Sequence, residues 1–385
     1  MNLFRRVLNG EGPQAFFDFF LPLSVCLYLL PLDPLFATLF VLAWLVFELA
    51  LLSARKVLWA PFFLVLLLMS SKQLILNSSQ VVFSVDDIIL LCTTILVGST
   101  ISSKRLTRIL QLFLLAVIPA CFFINERPWD VNPYIGTTQS AYVIGHVCIV
   151  SVFFANYYFL PKALFHPLKG FFIALTFFMV FLTGSRAALV AVLFAAFLVP
   201  LINFIVQKKF IPILSMGFIT AFVFLQAPEL LKSHYPKIAL KFGDYDVIRL
   251  WAIDCFSGLP FSGKNRFIWG VGYEQIKKFC RIPIGDQNIL EHSHNLFLQL
   301  WAVTGLLGLI ALCLLLYVYF AALFSRWILS ERPSFLFLCI GSIVYISVQG
   351  LLDLSMLHWP VSIVLSSFFL SIPFRGNYQA LIKLH

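Results

Sequence analysis

From Leu296 to Phe324 the chain reads LFLQLWAVTGLLGLIALCLLLYVYFAALF, without one Asp, Glu, Lys or Arg. Counted from His294, the run is about 31 residues, roughly 46 Å as a helix, against a hydrocarbon core of about 30 Å. A segment this long and this apolar crosses a bilayer, either tilted or with its first turns standing outside. It is one of several. The 385-residue chain is 61% hydrophobic and only 11% charged, too little charge for a soluble domain of this size. Apolar runs long enough to span are expected at roughly 15–31, 35–52, 57–70, 88–101, 109–124, 139–160, 169–183, 186–206, 210–226, 294–324, 334–352 and 357–373. The fold class implied is an all-α polytopic membrane protein of about 12 transmembrane helices. Residues 1–226 hold the first nine, 227–293 form one large outside loop with short helices, and 294–385 hold the last three and a short tail. Met1–Gly12 is polar and basic, but no small-residue cleavage site follows it, so a cleaved signal peptide is not expected.

The basic residues test this map. With the N-terminus inside, the inside segments hold Arg5, Arg6, Arg55, Lys56, Lys104, Arg105, Arg108, Lys162, Lys169, Lys208, Lys209, Arg326, Arg332, Arg375 and Lys383. The short outside loops hold only Lys72, Arg127 and Arg186; the rest lie in 227–293, which is too long for the rule to govern. That asymmetry puts both termini on the cytoplasmic side. It also accounts for most of the net charge of +10, which is therefore no sign of nucleic-acid binding. Of the eight cysteines, Cys255 and Cys280 share the outside loop and could pair if that compartment is oxidising. The others sit in spans as small apolar residues.

Three stretches carry candidate chemistry. In "LTGSRAALV", Thr183, Gly184 and Ser185 are turn and cap residues, and Arg186 opens a span at its outer end. Free backbone N–H groups and a guanidinium together make an anion site, although a lone arginine there could equally be a snorkelling anchor. In "DYDVIRLWAI", Arg249 has Asp244 and Asp246 nearby, and a local ion pair is the simpler reading. Lys264, Arg266, Lys277, Lys278 and Arg281 make the rest of the loop basic, as suits anionic headgroups or phosphates. In "EHSHNLFLQLWAVTGLLG", His294 stands at the outer mouth of the long span, with His292 in the loop before it. At 3.6 residues per turn, His294, Leu298, Trp301, Gly305 and Gly308 fall on one helical face, where the glycines admit a close helix crossing. First-turn placement at the positive end of the helix dipole suits a neutral, basic histidine, and a simple capping histidine is the plainer alternative. Asp86/Asp87 and Asp244/Asp246 make no convincing metal site. Asp353 and His358 lie in the last short outside loop, read as a polar turn and kept out of the primary site. Glu48 lies near the inner end of its span and is no convincing relay.

Together these stretches resemble the O-antigen ligase family, which groups with O-antigen polymerases and protein O-oligosaccharyltransferases. Its signature is His, then Asn, Ser or Gln, nine free residues, then G-x-x-G/T/Y. It stands here in full as His294, Asn295, Leu296–Thr304 and Gly305-Leu306-Leu307-Gly308. Arg186 matches the family's arginine at the outer end of a span. Arg249 matches its loop R-x-x-x-L arginine, with Ile253 replacing leucine.

The resemblance implies a glycosyltransferase-C-like membrane fold in the bacterial inner membrane, with the active site facing the periplasm. It implies transfer of O-antigen from undecaprenyl pyrophosphate, the donor, to lipid A–core oligosaccharide, the acceptor. His294, Arg186 and Arg249 would be catalytic. Arg186, Arg249, Asn295, Arg266 and Lys278 would bind substrate, and Gly305 and Gly308 would form the packing motif. No metal or cofactor is expected, and no partner beyond the two substrates and membrane lipids. The alternatives are an O-antigen polymerase and, from another class, a lipid-glycan transporter. A transporter would be expected to show related halves and mid-membrane ionisable residues, and neither is evident. A protein O-oligosaccharyltransferase would be expected to carry a further soluble domain.

Overall fold

The computed structural model describes residues 16–55, 57, 59–76, 85–124, 137–153, 162–183, 185–206, 251–272, 279–280, 293–329, 333–353, 356 and 359–375. Among these, all regular structure is helical. Every expected span falls on a helix except 210–226, which lies outside the described residues. Local chemistry sets several of the starts. Asp33 caps Pro34–Ala54 by accepting from Leu35 N at 2.8 Å, with proline at the first helical position. Ser102 caps Ser103–Ala116 through Arg105 N at 3.4 Å. By length and composition, Pro34–Ala54, Ser103–Phe122 and Leu296–Leu323 are long and apolar enough to cross a membrane. The other apolar helices are shorter, Phe20–Leu29 and Pro360–Phe374 among them.

The chain forms two compact units. The first comprises 1–192, 315–349 and 355–385. In it Phe20–Leu29 packs on Pro34–Ala54, Val85–Thr100 on Pro360–Ser371, and Thr137–Phe153 on Lys162–Leu182. Its core is aromatic: Phe368 meets Trp44 and Phe113 edge-on, with ring centroids 6.0 and 6.1 Å apart. Tyr142 Oη and Ser366 Oγ lie 2.6 Å apart, and Tyr345 Oη donates to Tyr142 O at 2.9 Å. Asp86 and Asp87 occupy the first turn of Val85–Thr100, where carboxylates complement the helix dipole.

One charged cluster is buried in this unit. Arg105 donates through Nε to Asp18 Oδ1 at 2.8 Å and through Nη1 to Glu48 Oε2 at 3.1 Å. Arg108 Nη1 reaches Asp18 Oδ2 at 3.2 Å. Glu48 is thus one partner in an ion cluster that fastens helices Pro34–Ala54 and Ser103–Ala116 to the chain around Asp18. Burying such charges is costly, and it is tolerated because each finds an opposite charge in hydrogen-bonding geometry.

The second unit comprises 193–314 and 350–354. Helical residues 251–258 lead through the 3₁₀ turn Leu259–Ser262 into the short helix Lys264–Trp269. Ala252, Phe256 and Leu259 recur on one face of this segment and close over Ala302 and Val303 of helix Leu296–Leu329, with Cys280, Val271 and Leu298 completing the cluster. Cys255 and Cys280 are joined as a disulfide, their Cα atoms 5.9 Å apart.

Candidate functional site

The residues before helix Leu296–Leu329 are held by a local network. Asn295 is the cap: its Oδ1 accepts from Phe297 N and Leu298 N, both at 3.0 Å. Its Nδ2 donates to Leu351 O at 2.9 Å, so the same side chain also ties the helix start to the end of helix Pro333–Leu352. Ser293 is fully buried; its N–H donates to Gln299 Oε1 at 2.9 Å and its hydroxyl to Asn295 O at 2.6 Å. Gln299 therefore reaches back past the cap much as the acidic residue of a capping box does.

Between these fixed neighbours stands His294. Its φ is +53°, the one positive φ at a non-glycine residue among the described residues. Left-handed backbone is disfavoured for a side chain with Cβ, and it persists where the surroundings over-determine it, commonly at functional sites. The side chain is 26% exposed, and its Nδ1 lies 4.0 Å from Oδ1 of Asp353, which is only 5% exposed. This is ion-pair range and too long for a direct hydrogen bond. The buried Asp353 carboxylate thus faces the Nδ1 side of the ring.

Two expectations about this segment are corrected. His294 is not in the first turn of the helix; it precedes the cap residue Asn295. The single face running from His294 to Gly308 is also interrupted, because Gly305 has φ +65° and ψ −157°, a conformation open essentially to glycine alone. The helix bends there. A Cβ on Gly305 would collide with the backbone of Ile268 and Gly270. Gly270 is itself at φ +72°, and a Cβ on it would strike Val303 and Thr304. Loop donors meet the helix at this crossing: Val271 N–H bonds Ala302 O at 2.8 Å and Gly272 N–H bonds Val303 O at 3.1 Å. The close approach expected at Gly305 is therefore real, and its partner is the end of the short helix Lys264–Trp269 with the turn after it. Gly308 does something different. A Cβ there would meet only the Thr304 side chain of its own helix.

The bend also answers the length problem. Residues 306–329 alone make about 36 Å of helix, enough for a bilayer core, which frees the turns from Leu296 to Thr304 for the loop unit.

The other expected residues fall as follows. Arg186 opens helix Arg186–Val206 in the first unit, and Ser185 Oγ caps that helix by accepting from Ala188 N at 3.4 Å. Thr183 Oγ1 in turn accepts from Ser185 N at 3.4 Å, so the turn before Arg186 is built as the sequence indicates. Arg266, in the second unit, donates to Ser262 Oγ at 2.8 Å and lies over the Phe279 ring at 4.3 Å. Trp301 packs edge-on to Phe261 at 5.3 Å. Arg249, Lys278, His292 and His358 lie outside the described residues.

Asp353, the carboxylate beside His294, is a residue that sequence reasoning set aside. It stands 59 positions after His294, and no spacing rule connects them. The available signal was that it is the one carboxylate in the last outside loop.

Residues 171–313 match the family model described as O-antigen ligase. The match takes in Arg186, the disulfide, the histidine with its cap, and the Gly270–Gly305 crossing. A search of curated proteins returns no match.

Proposed function

We propose, from the match of residues 171–313 to the O-antigen ligase family model, that this chain is such a ligase. In this reading it transfers O-antigen polysaccharide from undecaprenyl pyrophosphate to lipid A–core oligosaccharide at the periplasmic face of the inner membrane. The family supports glycosyltransferase chemistry in general; donor, acceptor, sidedness and residue roles are the proposal. The observation that carries it is His294, held in a strained backbone with a buried carboxylate on its Nδ1 side.

The acceptor is a sugar hydroxyl, which needs a base to attack. His294 Nε2 takes that proton as the oxygen bonds to the anomeric carbon of the donor. Asp353 orients the ring and balances the imidazolium that forms. The bond from the anomeric carbon to the pyrophosphate oxygen breaks on the opposite side, so configuration inverts. Negative charge grows on the departing pyrophosphate, and Arg186 and Arg249 neutralise it, with Arg266 and Lys278 as further basic contacts. Because the arginines supply that neutralisation, no metal is required. The disulfide supports an oxidising compartment for the loop, as the periplasm provides.

The test is lipopolysaccharide gel profiling of a strain lacking its own ligase, complemented with wild type or His294→Ala at matched membrane levels. Wild type should restore the O-antigen ladder. The variant should leave bare lipid A–core with intact lipid-linked polymer. Restoration of chain length without attachment would make the protein a polymerase, and a normal ladder from His294→Ala would remove the histidine from the mechanism.

A further inference from the structure

The second unit leaves a cluster of large apolar side chains uncovered. Phe261 is 66% exposed, Ile268 42% and Trp269 68%, all within the 3₁₀ turn and the short helix that follows it. Lys264 is exposed among them and Arg266 lies beside it, while residues 259–272 contain no acid. An exposed group of this kind marks a contact surface.

Its position in the fold says what it contacts. Ile268 and Gly270, the neighbours of Trp269 in the chain, sit directly against Gly305, where the long helix bends. The exposed apolar face of that helix begins at the next residue and continues through Leu306, Leu307, Ile310 and Leu314. The cluster is therefore continuous with the surface that faces lipid if Leu296–Leu323 crosses the membrane. It lies at the level where the span emerges. Tryptophan, phenylalanine and lysine side by side at that level are the composition of a membrane interface, where aromatic rings sit among headgroups and cations meet lipid phosphate.

We propose that Phe261, Ile268 and Trp269, with Lys264, form an interfacial anchor that seats the loop unit in the anionic outer-leaflet headgroup layer of the membrane. Such an anchor fixes the height of the Gly270–Gly305 crossing, and with it the start of the helix that carries His294, relative to the bilayer surface. The inference rests on the long helix being a span and not on the transfer reaction, so the two can fail separately.

The experiment uses the full chain in lipid nanodiscs containing phosphatidylglycerol, with phospholipids brominated either near the carbonyl end or near the methyl end of the acyl chain. The fluorescence of Trp269 is taken as the difference between wild type and Trp269→Phe, a change small enough to keep the fold. Retention of the Cys255–Cys280 disulfide on non-reducing gels checks that it does. Quenching by the shallow bromines should exceed quenching by the deep ones at least about twofold. It should fall at least about twofold in pure phosphatidylcholine discs or in Lys264→Glu. Trp269 open to aqueous iodide and untouched by either lipid would overturn the proposal. So would a tryptophan shielded from both iodide and lipid, since that means protein covers it, either this chain or a second copy. Equal quenching with and without anionic lipid would overturn the electrostatic part.

Discussion

Gly305 and Gly308 share one sequence signature, yet the structure gives them unequal burdens, and alanine at each position measures the difference. At Gly305 the backbone is in a region that side chains with Cβ enter at a cost of about 1–3 kcal/mol. The new methyl also meets the backbone of Ile268 and Gly270, which cannot rotate aside. Overpacking of that kind adds about 1–3 kcal/mol. Taking the middle of both ranges gives about 4 kcal/mol, close to a thousandfold shift against the docked loop at about 1.4 kcal/mol per factor of ten. At Gly308 the methyl meets the side chain of Thr304 on its own helix, at both Oγ1 and Cβ. Thr304 must shift to admit it, an overpacking cost of about 1–3 kcal/mol, against about 1 kcal/mol of helix propensity gained over glycine and with no positive φ to strain. Gly305→Ala should therefore lose the O-antigen ladder and show fast amide exchange at Val271 and Gly272, whose N–H groups bond the helix. Gly308→Ala should do markedly less damage, keeping most of the protection at Val271 and Gly272 and part of the ladder. Equal damage from the two substitutions, or a Gly305→Ala protein with normal exchange, would refute the reasoning. Glycine at the first of the two signature positions is what the geometry at Gly305 requires.

Three other outcomes are expected. Asp353→Asn should slow transfer by about ten- to a hundredfold in an assay with purified lipid-linked donor, with KM little changed and Asp353→Glu partly restoring the rate; an unaltered kcat would separate Asp353 from the histidine's function. Arg105→Gln removes the shared partner of Asp18 and Glu48, and should destabilise the detergent-solubilised protein by about 3–5 kcal/mol as Glu48 loses this counter-charge and Asp18 is left with Arg108, seen as a lowered unfolding midpoint; an unchanged midpoint would mean the cluster is solvated. Chelation should leave transfer intact, and the new glycosidic linkage should carry the anomeric configuration opposite to the donor's; magnesium-restored activity or retention of configuration would each defeat the proposed displacement.

What could be read from the sequence was what local periodicity and capping record. The apolar runs became helices wherever they fall on described residues, Ser185 became the cap before Arg186, and Asn295 became the cap of the long helix. The pairing of Cys255 with Cys280 was open from the sequence and is formed in the structure. Two kinds of feature were not legible. Asp353 with His294, and Arg105 with Asp18 and Glu48, are long-range partners, and residues 57 to 90 positions apart leave no periodic trace. The bend at Gly305 escaped for the opposite reason. A count at 3.6 residues per turn presumes an unbroken helix, and a glycine in an apolar run does not announce which side of φ = 0° it will take.

The bond from Asn295 to Leu351 and the approach of Asp353 to His294 also impose an order in time. The ribosome finishes the histidine, the whole helix that follows it and nearly all of the next one before it reaches residue 351. The loop disulfide, by contrast, closes a ring with a separation of 25 residues and needs nothing made after Cys280. Assembly therefore proceeds from a covalently fixed loop to a late fastening of the site by a segment translated near the end. A nascent or truncated chain that stops before Leu351 carries the full His-Asn-x9-Gly signature and yet lacks the residues that hold its histidine in place.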